Sequence, residues 1–249
     1  MIKTNFKIAS VVLVHAAWAD ASSWNKIIPR LQRRGMQVVA VQIPLTSLSD
    51  DVATVRRALK KLSGPVVLVG HSYAGAVITA AATGNSEVKA LTYIAAIVPD
   101  EGETVGALFH DAEPEGGVRP SIAPDADGFL WLPEGAVTGA VAPDALLEER
   151  VLMEVTQHPI AAKCLSEPMT VPAWKQKPSW FLIAGKDRMI SPAKQRFMAE
   201  RIGARIHSSD VDHTPLLSAP DQVVAIIAEA VDAATQEAAF DPQRIGRRA

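Results

Sequence analysis

The chain has 249 residues, 48% of them hydrophobic and 21% charged, with 25 Lys and Arg against 27 Asp and Glu. A net charge of −2 excludes the basic excess typical of nucleic-acid-binding domains, and the hydrophobic content excludes an intrinsically disordered chain. The length fits one α/β domain with an insertion as well as two domains. The single cysteine, Cys164, cannot form an intramolecular disulfide, and we expect it to be buried as a small apolar side chain.

The amino-terminal residues combine Lys3 and Lys7 with a short apolar run, which has some features of a secretory signal. The run from Ile8 to Val14 is short and rich in β-branched residues, and His15 and Trp18 interrupt the region where a cleavage site would follow. These features favour a buried first strand and a cytoplasmic protein. No apolar run approaches the roughly 18 residues of a membrane span, so we expect no association with a membrane.

Short apolar runs and amphipathic stretches alternate along the first hundred residues. We expect strands over 9–15, 37–42, 65–70 and 88–95, and helices over 22–34, 49–62 and 73–82. The runs are continuously apolar, as in strands covered on both faces, so the pattern predicts a mostly parallel sheet with helices on both sides. The same rhythm returns near the end of the chain, as strands over 179–184 and 204–207 and helices over 193–202 and 220–234.

A proline-rich segment interrupts this rhythm between residues 99 and 172. It contains Pro114, Pro120, Pro124, Pro133, Pro143, Pro159, Pro168 and Pro172 and shows one clear helical pattern, over 143–155. Irregular segments of this length inside compact domains are usually lids or binding elements. We therefore predict a core of residues 1–98 and 173–236, an inserted lid of residues 99–172 and a peripheral tail of residues 237–249.

The segment from Val66 to Gly75 reads VVLVGHSYAG, a buried strand followed by a sharp turn and a helix of small residues. A serine hydroxyl is a weak nucleophile unless it is raised clear of the sheet beside a general base. A strand–turn–helix elbow does this, and it requires small residues two positions before and after the serine, here Gly70 and Ala74. We expect Ser72 to be the nucleophile. The alternative is a serine that only caps the helix.

A nucleophilic serine of this type needs an acid and then a histidine, each at the carboxyl end of a later strand. Asp187 follows the strand over 179–184, and His213 lies in the loop before the last helix. We expect His213 to accept the Ser72 proton and Asp187 to orient the imidazole. Asp210 and Asp212 are rival acids, but they are too close in sequence to His213 to approach it from a separate strand. Structural roles are expected for His71, His110, His158 and His207.

Acyl transfer also needs backbone N–H groups that face the developing oxyanion. We expect one from Tyr73, directly after the nucleophile, and a second from Ala17, in the loop after the first strand. Trp18 of the same loop is either a wall of the substrate pocket or a core aromatic. The sequence contains no dinucleotide-binding glycine motif, no phosphate loop and no zinc motif, so no metal or cofactor is expected.

Several segments together are similar to the α/β-hydrolase superfamily, and within it to the small esterases of the plant methylesterase and hydroxynitrile lyase group and their bacterial relatives. They are VVLVHAAWADASSW, VVLVGHSYAGAV, LTYIAAIVPD, LIAGKDRMISPAKQRFMAERIGA and DVDHTPLLSAPDQV, which cover most of the core but not the lid. The resemblance implies an α/β-hydrolase fold, a triad of Ser72, Asp187 and His213, and oxyanion donors at Ala17 and Tyr73. The family usually has glycine where this chain has Ala16 and Ala74, which suggests reduced or specialised activity.

The leading hypothesis is a cofactor-independent serine hydrolase that cleaves small to medium hydrophobic carboxylic esters through an acyl-enzyme. Lid aromatics, among them Phe129 and Trp131, would form the apolar pocket together with Trp18, or else the core of the lid. The alternatives are a lactonase or a hydroxynitrile-lyase-like enzyme with the same triad, and a ligand-binding receptor with low turnover. The expected partner is a small-molecule ester, and the sequence leaves a homodimer open.

Overall fold

The computed structural model describes residues 9–111 and 120–239, with side chains as far as residue 236. Its strands are β1 Ser10–Val14, β2 Val38–Val41, β3 Val66–His71, β4 Val88–Ile94, β5 Phe129–Leu130, β6 Ile160–Ala161, β7 Ser179–Ala184 and β8 Arg205–Ser209. Six of them form one sheet in the order β2-β1-β3-β4-β7-β8, in which every neighbouring pair is parallel. The predicted parallel sheet is confirmed.

Helices cover both faces of this sheet, as predicted. They are α1 Ile28–Arg33, α2 Leu48–Leu59, α3 Ala74–Ala81, α4 Val105–His110, α5 Leu147–Val155, α6 Ala162–Ser166, α7 Pro192–Arg201, α8 Pro215–Ser218 and α9 Pro220–Ala239. Successive strand residues alternate between the two faces: Val67 and Val69 of β3 belong to the apolar cluster that contains α1 and α9, and Leu68 belongs to the cluster that contains α2, α3 and α7. The inner strands β1, β3, β4 and β7 are therefore buried on both sides, which explains their continuous apolar sequences.

The stretch predicted as one helix over 22–34 is two helices in the structure. A 3₁₀ turn covers Ala21–Trp24, and α1 begins only at Ile28. The break follows from Pro29, which lies in the first turn of α1. Proline has no backbone N–H and its ring clashes with the carbonyl four residues earlier, so a continuous helix from residue 22 cannot pass through it.

The inserted segment contains more regular structure than the single helix predicted there. Besides α5 it holds α4, α6, a π-helical turn at Val137–Val141 and an antiparallel pair, β5 with β6. Helices of five or six residues are too short to produce a clear helical period, which is why sequence analysis missed them. Of the predicted tail, α9 extends to Ala239, and residues 240–249 lie outside the described residues.

Strained backbone collects at the carboxyl edge of the sheet. The non-glycine residues with positive φ in the described chain are Trp18 (58°), Leu45 (57°), Ser72 (54°) and Ala95 (44°), which follow β1, β2, β3 and β4 respectively. Such conformations cost about 1–3 kcal/mol each and concentrate at functional sites. This edge is thus where the functional residues are to be sought. Among the described helices, none is both long and apolar enough to cross a membrane.

Candidate active site

The turn after β3 has the geometry of the predicted elbow. Ser72 has a φ of 54°, and α3 begins two residues later. A Cβ atom on Gly70 would lie 2.6 Å from the carbonyl oxygen of Ala74, and one on Gly75 would lie 2.4 Å from that of Ile97. Glycine is therefore required at both positions. The methyl group of Ala74 is accommodated in the core with no exposed surface.

Ser72, His213 and Asp187 form a continuous chain of hydrogen bonds. The distance from His213 Nε2 to Ser72 Oγ is 2.8 Å, and the distance from His213 Nδ1 to Asp187 Oδ2 is 2.6 Å. The three residues come from the ends of β3 and β7 and from the loop after β8, and each is less than 8% exposed. The carboxylate holds Nδ1 in the protonated form, so Nε2 is left to accept the serine proton.

Asp187 is fixed by four hydrogen bonds. Its Oδ1 accepts from the backbone N–H groups of Met189 (2.7 Å) and Ile190 (2.9 Å), and its Oδ2 accepts from His213 and from Gln195 Nε2 (2.7 Å). Gln195, fully buried on α7, also donates to the Ile190 carbonyl and accepts from the Ala184 N–H. Sequence analysis missed this glutamine. Its only signal is a polar residue on the buried side of the helix that follows the acid.

The other two candidate acids, Asp210 and Asp212, bind groups other than the His213 ring. Asp210 is exposed and pairs with Lys186 at 3.1 Å. Asp212 is buried, and its Oδ1 accepts from Thr214 N–H and hydroxyl and from the Ser218 hydroxyl. Its Oδ2 accepts from the backbone N–H of Asp144, in the inserted segment. The structure thus brings Asp187, and neither of the rivals, to the ring of His213.

His71, directly before Ser72, supports the ring of His213. Its Nε2 donates to the backbone carbonyl of His213 at 2.7 Å, and the two ring centroids are 5.2 Å apart. Burial, together with the nearby His213, lowers the pKa of His71 to about 3. His71 therefore stays neutral when His213 accepts a proton, and the two rings do not both carry charge.

The two predicted oxyanion donors are the backbone amides of Ala17, in the loop after β1, and Tyr73, in the turn after β3. Neither the N–H of Ala17 nor that of Tyr73 donates to any group among the described residues. His15 holds the loop, because its Nδ1 donates to the Ala16 carbonyl and its Nε2 accepts from the Ile43 N–H. Burial lowers the pKa of His15 to about 4, which keeps it in this neutral form.

A cavity of about 210 Å³ opens beside these residues, bordered by His71 and Thr214. Its apolar walls are Trp18, Leu152, Met153, Leu216 and Leu217. A smaller space of about 20 Å³ continues inward past Ala16, Ala17 and His213. Trp18 borders both spaces and is held by a hydrogen bond from Nε1 to the Leu130 carbonyl, so it is a pocket wall.

Phe129 and Trp131 line neither space, so of the two roles expected for these aromatics, pocket wall or lid core, the first is not observed. Trp131 is 46% exposed and its Nε1 donates to Asp125, while Phe129 packs against the large hydrophobic cluster. A more open groove of about 460 Å³ between α2 and residues 167–170 contains none of the predicted site residues. Among the described residues there is no cluster of three or more His, Cys, Asp or Glu that could hold a metal.

The strand order, the elbow after β3 and the strand-end acid define an α/β-hydrolase architecture. The chain belongs to the alpha/beta hydrolase family, whose model matches residues 11–226. It is 28% identical to the alpha/beta hydrolase nvfD of Aspergillus novofumigatus, over 91% of this chain and 98% of that protein. It is 25% identical to methylesterase 3 of Arabidopsis thaliana, over 88% and 94% of the two chains.

A solved structure with the same fold is the pyrethroid hydrolase of Sphingobium faniae, with a TM-score of 0.79 and 20% identity over 92% of this chain and all of the other. The resemblance to the methylesterase group is confirmed. The names of these relatives support the predicted enzyme class, a carboxylic ester hydrolase.

Proposed function

We propose that the protein hydrolyses small to medium hydrophobic carboxylic esters through a covalent acyl-enzyme. The observation that carries the proposal is the buried chain of hydrogen bonds from Ser72 through His213 to Asp187, at 2.8 and 2.6 Å, beside two free amides. Nucleophile and base lie within hydrogen-bonding distance, and the base is oriented by a third group, which is the arrangement that activates a serine.

In the first half of the reaction His213 Nε2 removes the proton of Ser72 as Oγ bonds to the ester carbonyl carbon. The carbonyl oxygen becomes an oxyanion, which accepts hydrogen bonds from the N–H groups of Ala17 and Tyr73. The C–O bond to the alcohol then breaks, and His213 gives its proton to the departing oxygen. Asp187 stays ionised and stabilises the imidazolium in between.

In the second half a water molecule takes the place of the alcohol. His213 removes its proton, the resulting hydroxide adds to the acyl carbon, and the bond to Ser72 Oγ breaks as His213 returns the proton to the serine. The products are the free acid and the original enzyme. No step requires a group beyond the substrate and water.

The cavity supports the substrate class. Its volume of about 210 Å³ suits a short acyl or alcohol group, and its aromatic, leucine and methionine walls favour apolar ones. The same cavity is also lined by Ser22 and Asn25 and by the charged residues Asp20, Lys26 and Glu149, of which Lys26 and Glu149 pair with each other at 2.6 Å. These residues would contact a polar substituent of the substrate. Several relatives are named methylesterases, which agrees with a small alcohol as the leaving group. The expected cytoplasmic location and the homodimer stay predictions.

The test combines a fluorophosphonate probe with a series of p-nitrophenyl esters. We expect the probe to form an adduct at Ser72, and hydrolysis of the esters to disappear in Ser72→Ala. Circular dichroism of the variant would show that the fold is intact. A folded wild-type protein that carries no adduct at Ser72 would contradict the proposal and favour a ligand-binding role.

A further inference from the structure

A buried carboxylate lies behind the elbow, outside the triad. Asp51 of α2 has no exposed surface. No Lys or Arg of the described residues forms an ion pair with it. An unpaired carboxylate is costly to bury, and an apolar residue of similar size would avoid that cost. Burial raises the pKa of Asp51 to about 6, although the hydrogen bonds that the carboxylate accepts lower it.

The hydrogen bonds of Asp51 connect it to the catalytic edge. Its Oδ1 accepts from the backbone N–H of Leu45, at 2.8 Å, where the chain has a positive φ. Its Oδ2 accepts from the phenol of Tyr73 at 2.7 Å, and the thiol of Cys164, from α6 of the inserted segment, lies 3.9 Å from the same oxygen. Both carboxylate oxygens are thus occupied by groups at strand ends or in the inserted segment.

Tyr73 has two parts with different tasks. Its backbone N–H, directly after Ser72, is one of the two proposed oxyanion donors. Its side chain is 2% exposed and points into the core, where the bond to Asp51 fixes its far end. The residue is therefore held at both ends, by the strained turn at Ser72 and by Asp51. Such restraint matters because donors contribute to catalysis only when they are held within about 0.5 Å of the productive position.

We propose that Asp51 is a positioning residue, which acts through the phenol of Tyr73 to fix the Tyr73 amide where the oxyanion of the transition state forms. This inference rests on the proposed hydrolase function. Asp51 touches no substrate atom, so its effect is confined to the donor amide. Its loss should lower kcat and leave KM unchanged, because the donor bonds more strongly to the oxyanion than to the substrate carbonyl.

The chain contains a matched control. It has two tyrosines, Tyr73 and Tyr93, and both are buried with a hydrogen-bonded phenol. Tyr93 Oη lies 2.9 Å from the hydroxyl of Thr79 in the second half of α3, and that hydroxyl donates to the Gly75 carbonyl, so the bond of Tyr93 reaches neither Asp51 nor the backbone amide of Tyr73. Changing either tyrosine to phenylalanine removes one buried hydroxyl and leaves the ring in place. A purely structural role predicts similar effects of the two changes.

The experiment measures kcat, KM and melting temperature for Tyr73→Phe, Tyr93→Phe and Asp51→Asn on one p-nitrophenyl ester. We expect Tyr73→Phe to lower kcat about tenfold at unchanged KM, less than the 10² to 10³ that follows removal of a donor. Asp51→Asn has one acceptor oxygen for two donors, so it should lower kcat in the same direction. Tyr93→Phe should lower the melting temperature to a similar degree as Tyr73→Phe and leave kcat unchanged.

A trifluoromethyl ketone that forms a hemiketal with the serine gives a second readout. Its inhibition constant should rise in Tyr73→Phe by the same factor as kcat falls, because the hemiketal oxygen occupies the oxyanion position. Equal kcat values in the two Phe variants, with an unchanged inhibition constant, would overturn the positioning role. A wild-type protein without a Ser72 adduct or ester hydrolysis would instead contradict the proposed function, so the two failures are distinguishable.

Discussion

The sheet core and helix α5 of the inserted segment of residues 99–172 differ in how their side chains are buried and hydrogen-bonded. At the strand ends, buried polar groups such as Asp187 and Asp212 are held by several hydrogen bonds each. Helix α5 of the inserted segment leaves several of its apolar side chains in solvent, with Leu147 69% and Val155 75% exposed. The core thus builds a fixed arrangement for chemistry, whereas the segment contributes one wall of the cavity.

Several polar contacts join the segment to the core beside the cavity. The Asp144 N–H donates to Asp212, Glu149 pairs with Lys26 at 2.6 Å, and the Leu130 carbonyl accepts from Trp18. Changes in the core should therefore alter kcat, and changes in the segment should alter KM. The predictions below test this division, from the largest expected effect to the smallest.

Replacement of the base should have the largest effect. His213→Ala removes the group that accepts and returns the serine proton, so we expect kcat to fall by about 10³-fold or more. His158→Ala is the control, since the hydrogen bond of His158 to the site runs from its backbone N–H to the Trp18 carbonyl. Steady-state kinetics on one ester measures both. A greater loss in His158→Ala than in His213→Ala would show that the base is misassigned.

Gln195 offers a test of how firmly the core must hold the acid. Gln195→Leu removes a hydrogen bond to the Asp187 carboxylate while keeping a side chain of similar size in the buried position. Hydrogen bonds to charged groups contribute about 1.5–3 kcal/mol, so we expect kcat to fall roughly 10- to 100-fold with little change in KM. Unchanged kcat would mean that the two backbone amides suffice to orient Asp187.

Asp51 makes a pH-dependent contribution to stability. Its pKa is raised from 3.8 in the unfolded chain to about 6 in the fold, so the folded state binds the proton more tightly. This stabilisation is complete below about pH 4 and is lost as the pH rises through 6. Between pH 4.5 and 7.5 the wild type should lose about 2 kcal/mol relative to Asp51→Asn. Urea unfolding at the two pH values measures it, and parallel curves for the two proteins would refute it.

The smallest effect is expected in the inserted segment. Met153 lines both spaces of the cavity, so Met153→Ala should raise KM for a p-nitrophenyl hexanoate about fivefold, equivalent to roughly 1 kcal/mol of lost apolar contact, and leave kcat unchanged. Val155→Ala on the same helix is the control, since Val155 faces solvent. A fall in kcat in Met153→Ala at constant KM would contradict the expectation that changes in the segment alter KM and changes in the core alter kcat.

The elements of the core could be predicted because their signals are local. Continuous apolar runs identified β1, β3, β4 and β7, and the helical spacing identified α2 and α9. The carboxyl ends of parallel strands meet at one edge of the sheet, so the sequence also predicted that Ser72, Asp187 and His213 come together. In the inserted segment, α4 and α6 were missed because they are shorter than two helical turns.

The pocket could not be predicted in the same way. From the sequence, Phe129 and Trp131 could either line the pocket or form the core of the lid, and in the structure Leu152, Met153 and Leu217 are among the wall residues instead. The direction in which a side chain points depends on how the segment docks on the core. Docking is decided by contacts between elements that are far apart in the sequence, such as Asp144 with Asp212.

The sequence by itself determined the fold and which three residues, Ser72, Asp187 and His213, come together, because each depends on a local pattern at a strand end. Only the tertiary structure decided which residues hold the site in place. Gln195 donates to Asp187, His71 donates to the His213 carbonyl, and Asp51 accepts from the phenol of Tyr73. These supporting contacts join residues that are 8, 142 and 22 positions apart. A buried polar residue reveals its role only through the partner that satisfies its hydrogen bonds, and that partner is supplied by packing.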